Sequence, residues 1–498
     1  MVAKKGILGS YVSFAEQVPS NHPDSGTISP EQNSHLVSWS SLDEQENPQN
    51  WALKKKWAVT ITVSLFTFIS PVSSSMVAPA LTKMAAELKI KTEIESQMAL
   101  SIFVLAYAVG PFCFGPLSEI FGRAYVLQFS NLCYVCWNLG CGFAETPGQL
   151  IAFRFMSGIA GSAPLAIGGG VLSDCWNADE RGKAVGIYSL APLLGPVVGP
   201  IAGGFITETV TWRWIFWASS TAGAVIQLIG LAFLPETHKP TILKRRAKSL
   251  SKESDGLRYH TEFDSNQSLL AILRTALVRP FKLLITQPIV QVIALYMAYL
   301  FGLFYLLLST FPGVWEGVYN ESVGIASLNY ISLGVGFVIG AQVNARLSGR
   351  IYRQLKMKRN NTGAPEFRIP AMFFGSLFIP VGLFWYGWSV QAKIHWIMPN
   401  IGIAIFSVGS IICLQCMQTY LIDSFAEVAA SGMAAAVVLR SLAGFGFPLF
   451  APYMYSALHY GWGNTLLALL SIVIGVPAPF IFWFYGARLC TISQYASG

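Results

Sequence analysis

From residue 57 onward the chain alternates long apolar runs with short polar turns, whereas the first 56 residues hold no apolar run of useful length. A helix needs about 20 consecutive apolar residues to cross the hydrocarbon core. Windows of that kind recur near Trp57–Leu81, Gln97–Leu117, Ala124–Ala144, Gln149–Leu172, Ala184–Ile206 and Trp214–Leu234. They return near Ile285–Phe311, Val323–Leu347, Ile369–Val390, Trp396–Leu421, Val428–Tyr453 and Trp462–Gly486. The pattern predicts an all-α membrane protein with twelve transmembrane helices in two six-helix bundles. The expected domains are a polar tail over 1–56, a first bundle over 57–234, a linker over 235–284, a second bundle over 285–487 and a tail over 488–498. The polar start offers no cleavable leader, so the first span is expected to direct insertion itself.

Composition narrows the function classes. Charged residues make up 12% of the chain and hydrophobic residues 53%, about half the charge fraction of a soluble domain. Aromatics at 13% and 45 glycines suit interfacial belts and close helix contacts. The net charge of +8 does not point to nucleic acid, because Lys and Arg stay with cytoplasmic loops. With the N-terminus inside, 26 of the 33 Lys and Arg residues fall on the cytoplasmic side, 5 outside and 2 within spans. Both termini are therefore expected in the cytoplasm. The runs Lys244–Lys248 and Arg346–Arg359 read as topology determinants on solvated loops. The Asn320, Glu321, Ser322 sequon then lies outside, and Trp212, Trp214 and Trp217 form an interfacial cluster at the outer end of the sixth span.

Two cysteine pairs, Cys133 with Cys136 and Cys413 with Cys416, have CxxC spacing inside apolar runs, but no histidine lies within those runs to complete a metal site. They read as small packing residues. No metal or cofactor is expected. An integral membrane enzyme would need clustered His, Asp or Glu at an interface, and none is evident, so the chain reads as a non-enzyme.

The turn between the second and third spans runs Gly115, Pro116, Leu117, Ser118, Glu119, Ile120, Phe121, Gly122, Arg123. A tight turn needs glycine, and Glu119 beside Arg123 can form a charge-assisted latch between helix ends. This string resembles the signature loop of the major facilitator superfamily, in the form found in fungal twelve-span drug:proton antiporters. Ala124 departs from it, standing where a second basic residue is usual. Asn47–Trp51, Arg154–Gly161, the group Asp174, Trp176, Glu180, Arg181 and Gly182, the Pro235, Glu236, Thr237 exit with Arg246 and Ala247, and Arg279–Phe281 carry the same resemblance. It covers most of the chain from Asn47 onward. It implies proton-coupled export, with Arg154 at the place of the family's fourth-span coupling arginine.

In the fifth span Gly195, Pro196, Gly199, Pro200, Gly203 and Gly204 set glycines four apart on one helix face, where a neighbour can approach closely, while the prolines permit bending. In the superfamily this pattern resembles the motif associated with antiport. Arg154 and Arg440 are the only Lys or Arg residues well inside apolar runs, and neither is expected to face lipid. No Asp or Glu lies deep in a span; Asp423, at the end of the tenth, comes nearest and joins the coupling candidates. Two cations and no carboxylate predict a central chamber of positive potential that favours neutral or anionic solutes. Its candidate lining is Tyr107, Tyr296, Tyr299, Asn400, Gln415 and Gln418.

The resulting expectation is a monomeric secondary-active exporter of a small organic compound, a secondary metabolite or xenobiotic, in the plasma membrane or an internal one, with protons as the coupling ion. A facilitator or symporter of an organic acid or nutrient is the alternative.

Overall fold

The structure, a computed structural model, describes residues 36–39, 44–177, 180–253, 259–263, 269–359, 363–425 and 429–491. The expectations for tail residues 1–35, 40–43 and 492–498 lie outside the described residues. Contacts separate the chain into two units, Met1–Ser38 with Leu243–Asp264, and Trp39–Ile242 with Ser265–Gly498. In the first, strand β1 (Leu36–Val37) pairs in parallel with β2 (His260–Thr261). All the long apolar helices belong to the second.

The first six crossings are built from nine helices. A first crossing joins α1 (Leu53–Ser75), a turn of 3-10 helix at Ala78–Ala80 and α2 (Leu81–Glu87). The second joins α3 (Glu93–Ala106) to α4 (Gly110–Phe121), and the third is α5 (Arg123–Gly142). The fourth joins α6 (Pro147–Gly161) to α7 (Ala163–Cys175); α8 (Arg181–Thr209) and α9 (Arg213–Phe233) complete the half. Between the halves run α10 (Lys239–Glu253) and α11 (Leu269–Thr286). The second half contains α12 (Pro288–Trp315), α13 (Val323–Leu328), α14 (Tyr330–Lys358), α15 (Pro370–Gln391), α16 (Ile397–Ser424), α17 (Ala429–Gly475) and α18 (Pro477–Thr491).

Ten of these stretches are long and apolar enough to cross a membrane. Of those, Ser431–Gly486 spans 56 residues, far more than one crossing needs at 1.5 Å per residue, and its backbone breaks at His459 (φ 55°). It therefore makes two crossings. The remaining crossing is α5, whose polar Asn131 and Asn138 are buried against α9: Asn138 donates to the Phe216 carbonyl and to the Ser219 and Ser220 hydroxyls. The lipid-facing side is apolar, with Leu228, Leu231, Phe233, Val473 and Phe484 among the most exposed large side chains.

Local chemistry places the helix starts. Thr92 and Thr146 cap α3 and α6 by accepting from the amides three residues on. At α6 the Gln149 side chain reaches back to the Glu145 amide. Pro147, Pro288 and Pro370 open their helices, where a missing N–H is harmless. Residues 235–242 leave the first half at one end of the bundle, called the linker face below; the opposite end, holding Glu87, Thr209 and Glu316, is the far face.

Candidate functional site

The carbonyls at the end of α1 organise the first half. A helix leaves its last four C=O groups without intrahelical partners and carries partial negative charge there. In α1 this terminus lies inside the protein, and Arg154 of α6 caps it. Its guanidinium donates to the carbonyl oxygens of Ser73 (3.4 Å), Ser74 (3.2 Å) and, on α3, Leu100 (3.4 Å). The rings of Phe103 and Phe216 lie 5.1 and 5.7 Å from its central carbon. Arg154 is 0% exposed. The expectation of two arginines on one open chamber is thus corrected for Arg154, which is enclosed and takes a helix terminus where a carboxylate was missing.

The glycines of α8 hold that terminus in place. A Cβ on Gly195 would meet Pro71 at 2.5 Å, and one on Gly199 would meet the Val72 carbonyl at 2.6 Å; one on Gly203 would collide with the Met76 carbonyl. Gly204 faces away, onto Ser327 of α13. Pro196 and Pro200 are buried in an unbroken helix. The predicted close-approach face is therefore present, and its neighbour is the terminus that Arg154 caps.

Arg440, in α17, is placed differently. It is half-buried, its guanidinium carbon lies 5.0 Å from the Phe301 ring, and its Nε, like that of Arg154, is buried without a hydrogen-bond partner among the described residues, but no carbonyl takes up the rest of its guanidinium there. Phe301 packs, tilted, at 5.1 Å against Tyr305, one turn further along α12. The Tyr305 hydroxyl lies 3.1 Å from Ser74 Oγ on α1, so a hydrogen bond crosses between the halves here. Tyr107 makes a related bond within the first half, 2.7 Å to Ser70 Oγ. Tyr305, Phe301 and Ser74 were absent from the sequence-based candidates. Tyr305 and Phe301 lie on the same helix as Tyr296 and Tyr299, at positions the apolar pattern does not separate.

The other predicted lining residues divide. Tyr296 reaches Cys413 Sγ at 3.7 Å, and Tyr299 donates to the Leu467 carbonyl at 2.7 Å and bonds Ser471. Both are buried joints within the second half, which corrects their assignment to a chamber wall. Asn400 is likewise taken up by Asn329 at 2.6 Å. Gln415, which accepts from Asn344 at 2.9 Å, and Gln418 remain half-buried on α16.

At the linker face the predicted latch has a different partner. Arg123 opens α5 and donates through Nε to Asp174 at 2.5 Å. Its backbone amide, with those of Thr237 and His238, donates to Glu236 Oε1 at 2.9–3.0 Å. Glu119 is exposed on α4, because helix continues through Phe121 and turns its side chain outward; its assignment as the latch acid is corrected to Asp174. Gly122 has φ 103°, a conformation that favours glycine, and a Cβ there would collide with Glu236. Gly115, by contrast, sits within α4 with open space beside it, so the turn makes no demand on it. Asp423 pairs with Arg368 Nε at 2.8 Å, and Arg368 lies over the Tyr352 ring. Asp423 is therefore the counterpart of Asp174 in the second half and does not join the two buried arginines.

At the far face the Gly324 amide, on α13, donates to Glu208 of α8 at 2.8 Å, a second hydrogen bond between the halves. Burial raises the Glu316 carboxyl nearby, opposed by the charge of Lys83. Trp212 is buried and donates to Glu87 at 2.6 Å, which removes it from the predicted interfacial belt; Trp214 is exposed. Asn320 is exposed with φ 55°, a left-handed conformation that asparagine tolerates. Among the described residues no group of three or more His, Cys, Asp or Glu side chains could hold a metal ion.

A family model described as Major Facilitator Superfamily matches residues 63–448. An efflux pump of Penicillium aethiopicum, vrtL, is 55% identical over 464 residues, covering 93% of this chain and 92% of that protein. The MFS-type transporter penM of Penicillium rubens is 38% identical, with 96% and 94% covered, and the efflux pump radE of Floropilus chiversii is 38% identical, with 92% and 85% covered. Among solved structures, the proton:xylose symporter XylE bound to 6-bromo-6-deoxy-D-glucose superposes with a TM-score of 0.63 at 14% identity, over 87% of this chain and 96% of that one. A bacterial homologue of the human lysosomal transporter Spinster, in an inward-facing conformation, gives 0.60 at 15% identity, over 89% and 98%.

Proposed function

This chain belongs to the major facilitator superfamily, a multi-pass membrane transporter and not an enzyme, and we propose that it exports a small neutral or anionic organic compound. The observation that carries the cargo reading is Arg440. It is a half-buried cation with an unpaired Nε on an aromatic ring, while the acids Asp174, Asp423 and Glu236 are taken up at the linker face and Glu208 at the far face. A buried polar group without a partner is costly, and an anionic or hydrogen-bond-accepting solute would relieve it. Phe301 supplies an apolar wall, and Gln415 and Gln418 offer neutral hydrogen-bonding groups.

Transport proceeds by rocking one six-helix half against the other around this region. The halves meet at the far face, through Gly204 on Ser327 and Glu208 on Gly324, and we place the opening of the site at the linker face. We assign that face to the cytoplasm because the basic residues gather there, and the membrane to the plasma membrane. Export agrees with the names of the efflux-pump relatives. Proton antiport rests on family resemblance, with no carboxylate beside either arginine among the described residues to carry the proton.

The test is efflux of candidate compounds from cells expressing the chain, with and without an imposed pH gradient. Accumulation lowered by expression and restored when the gradient collapses supports coupled export. Efflux indifferent to the gradient removes the antiport step, and uptake in place of efflux favours the symporter alternative.

A further inference from the structure

We infer that Tyr305 is a positioning residue for transport, whose hydrogen bond to Ser74 holds the two halves in the linker-open state; the inference rests on the rocking mechanism proposed above. Ser74 is 0% and Tyr305 2% exposed, so both hydroxyls are dry. Each would be costly to leave unpaired, and each supplies the other's partner across the boundary between the halves. Neither end of the bond is free to drift. Ser74 belongs to the α1 terminus held by Arg154 and by the α8 glycines. Tyr305 is packed between Phe301 and Phe304, with ring centroids 5.1 and 5.2 Å away.

Two well-fixed hydroxyls on bodies that rotate against one another make a bond that is either formed or broken, a two-position element of the kind a switch requires. The ring of Phe301 touches both the Tyr305 ring and the Arg440 guanidinium, which places this bond beside the proposed cargo cation. Far-face opening must carry α12 away from α1 and break it. Its loss therefore shifts the resting balance toward the far-open state, by roughly 2- to 10-fold for one neutral hydrogen bond.

The experiment is amide hydrogen exchange on the full chain in lipid nanodiscs, without cargo, following residues 323–328, whose Gly324 amide is held by Glu208 only while the far ends touch. Tyr305→Phe and Ser74→Ala should each speed exchange in that segment 2- to 10-fold. The double variant should exceed neither, since both remove one bond. Unchanged exchange at 323–328 in Tyr305→Phe overturns the inference. Additive effects in the double variant do so too, as does acceleration spread evenly over all helices, which marks Tyr305 as ordinary packing. Since no cargo is present, failure of the Arg440 reading leaves this measurement untouched.

Discussion

Each half of the molecule carries one arginine inside an apolar helix, and the two differ in how far the fold takes them up. Arg154 is shut in, with three carbonyls and two aromatic rings around it. Both leave Nε unpaired, but Arg440 has one ring beside it and no carbonyl partner among the described residues. The latches at the linker face follow the same order. In the first half Arg123 and Asp174 are 14% and 18% exposed and tied further to the exit segment through Thr237; in the second, Arg368 and Asp423 are 29% and 32% exposed. The difference teaches that a buried charge in a transporter is not by itself a cargo site. Arg154 neutralises a helix end, so its charge is already spent within the fold; Arg440 retains most of its hydrogen-bonding capacity for something that arrives.

The comparison can be broken first at Arg154. Arg154→Ala orphans carbonyls that cost about 1–3 kcal/mol each when buried unpaired, so the expected result is loss of roughly 3 kcal/mol or more, seen as collapse of folded yield and thermal stability. A well-folded variant defective only in transport would return Arg154 to the cargo path. Gly199→Val should be nearly as damaging, because the added side chain strikes the carbonyl of Val72 at the terminus Arg154 caps; size-exclusion behaviour after extraction is the readout. The latches predict a smaller contrast: Asp174→Asn should lower stability by about 1–3 kcal/mol, as for a charged hydrogen bond in a partly dry site, and Asp423→Asn by under about 1 kcal/mol. Equal losses in thermal unfolding would show that burial does not rank them. Smallest of all, Glu119→Gln should leave both stability and transport within error, since the side chain is exposed. A clear transport defect there would restore the acid predicted from the turn motif.

Much of this layout was legible in the residues. The spacing of apolar runs placed twelve crossings, and the scarcity of charge within them singled out Arg154 and Arg440. The partner of Arg154 was not legible, because a helix terminus has no letter of its own and the break after Ser75 follows from packing against Gly195, Gly199 and Gly203. Arg123 shows a related limit: Glu119 is near in sequence, yet helix geometry turns it away and the fold brings Asp174 from 51 residues on. Helical-wheel reasoning put Asn400, Gln415 and Gln418 in one sector, but not which neighbour each would meet, so Asn400 proved to be bound to Asn329. Tyr305 went unseen because its significance lies wholly in Ser74, 231 residues away.

The most direct measurement is efflux of one anionic and one neutral aromatic compound by Arg440→Gln and Arg440→Lys, each compared with the unaltered chain at equal surface expression and equal thermal stability. Gln should lower anion efflux about tenfold or more, in the range of a lost charged hydrogen bond, while neutral efflux stays within about twofold and Lys recovers part of the anion rate. Parallel loss of both compounds, or no loss of either, would contradict it.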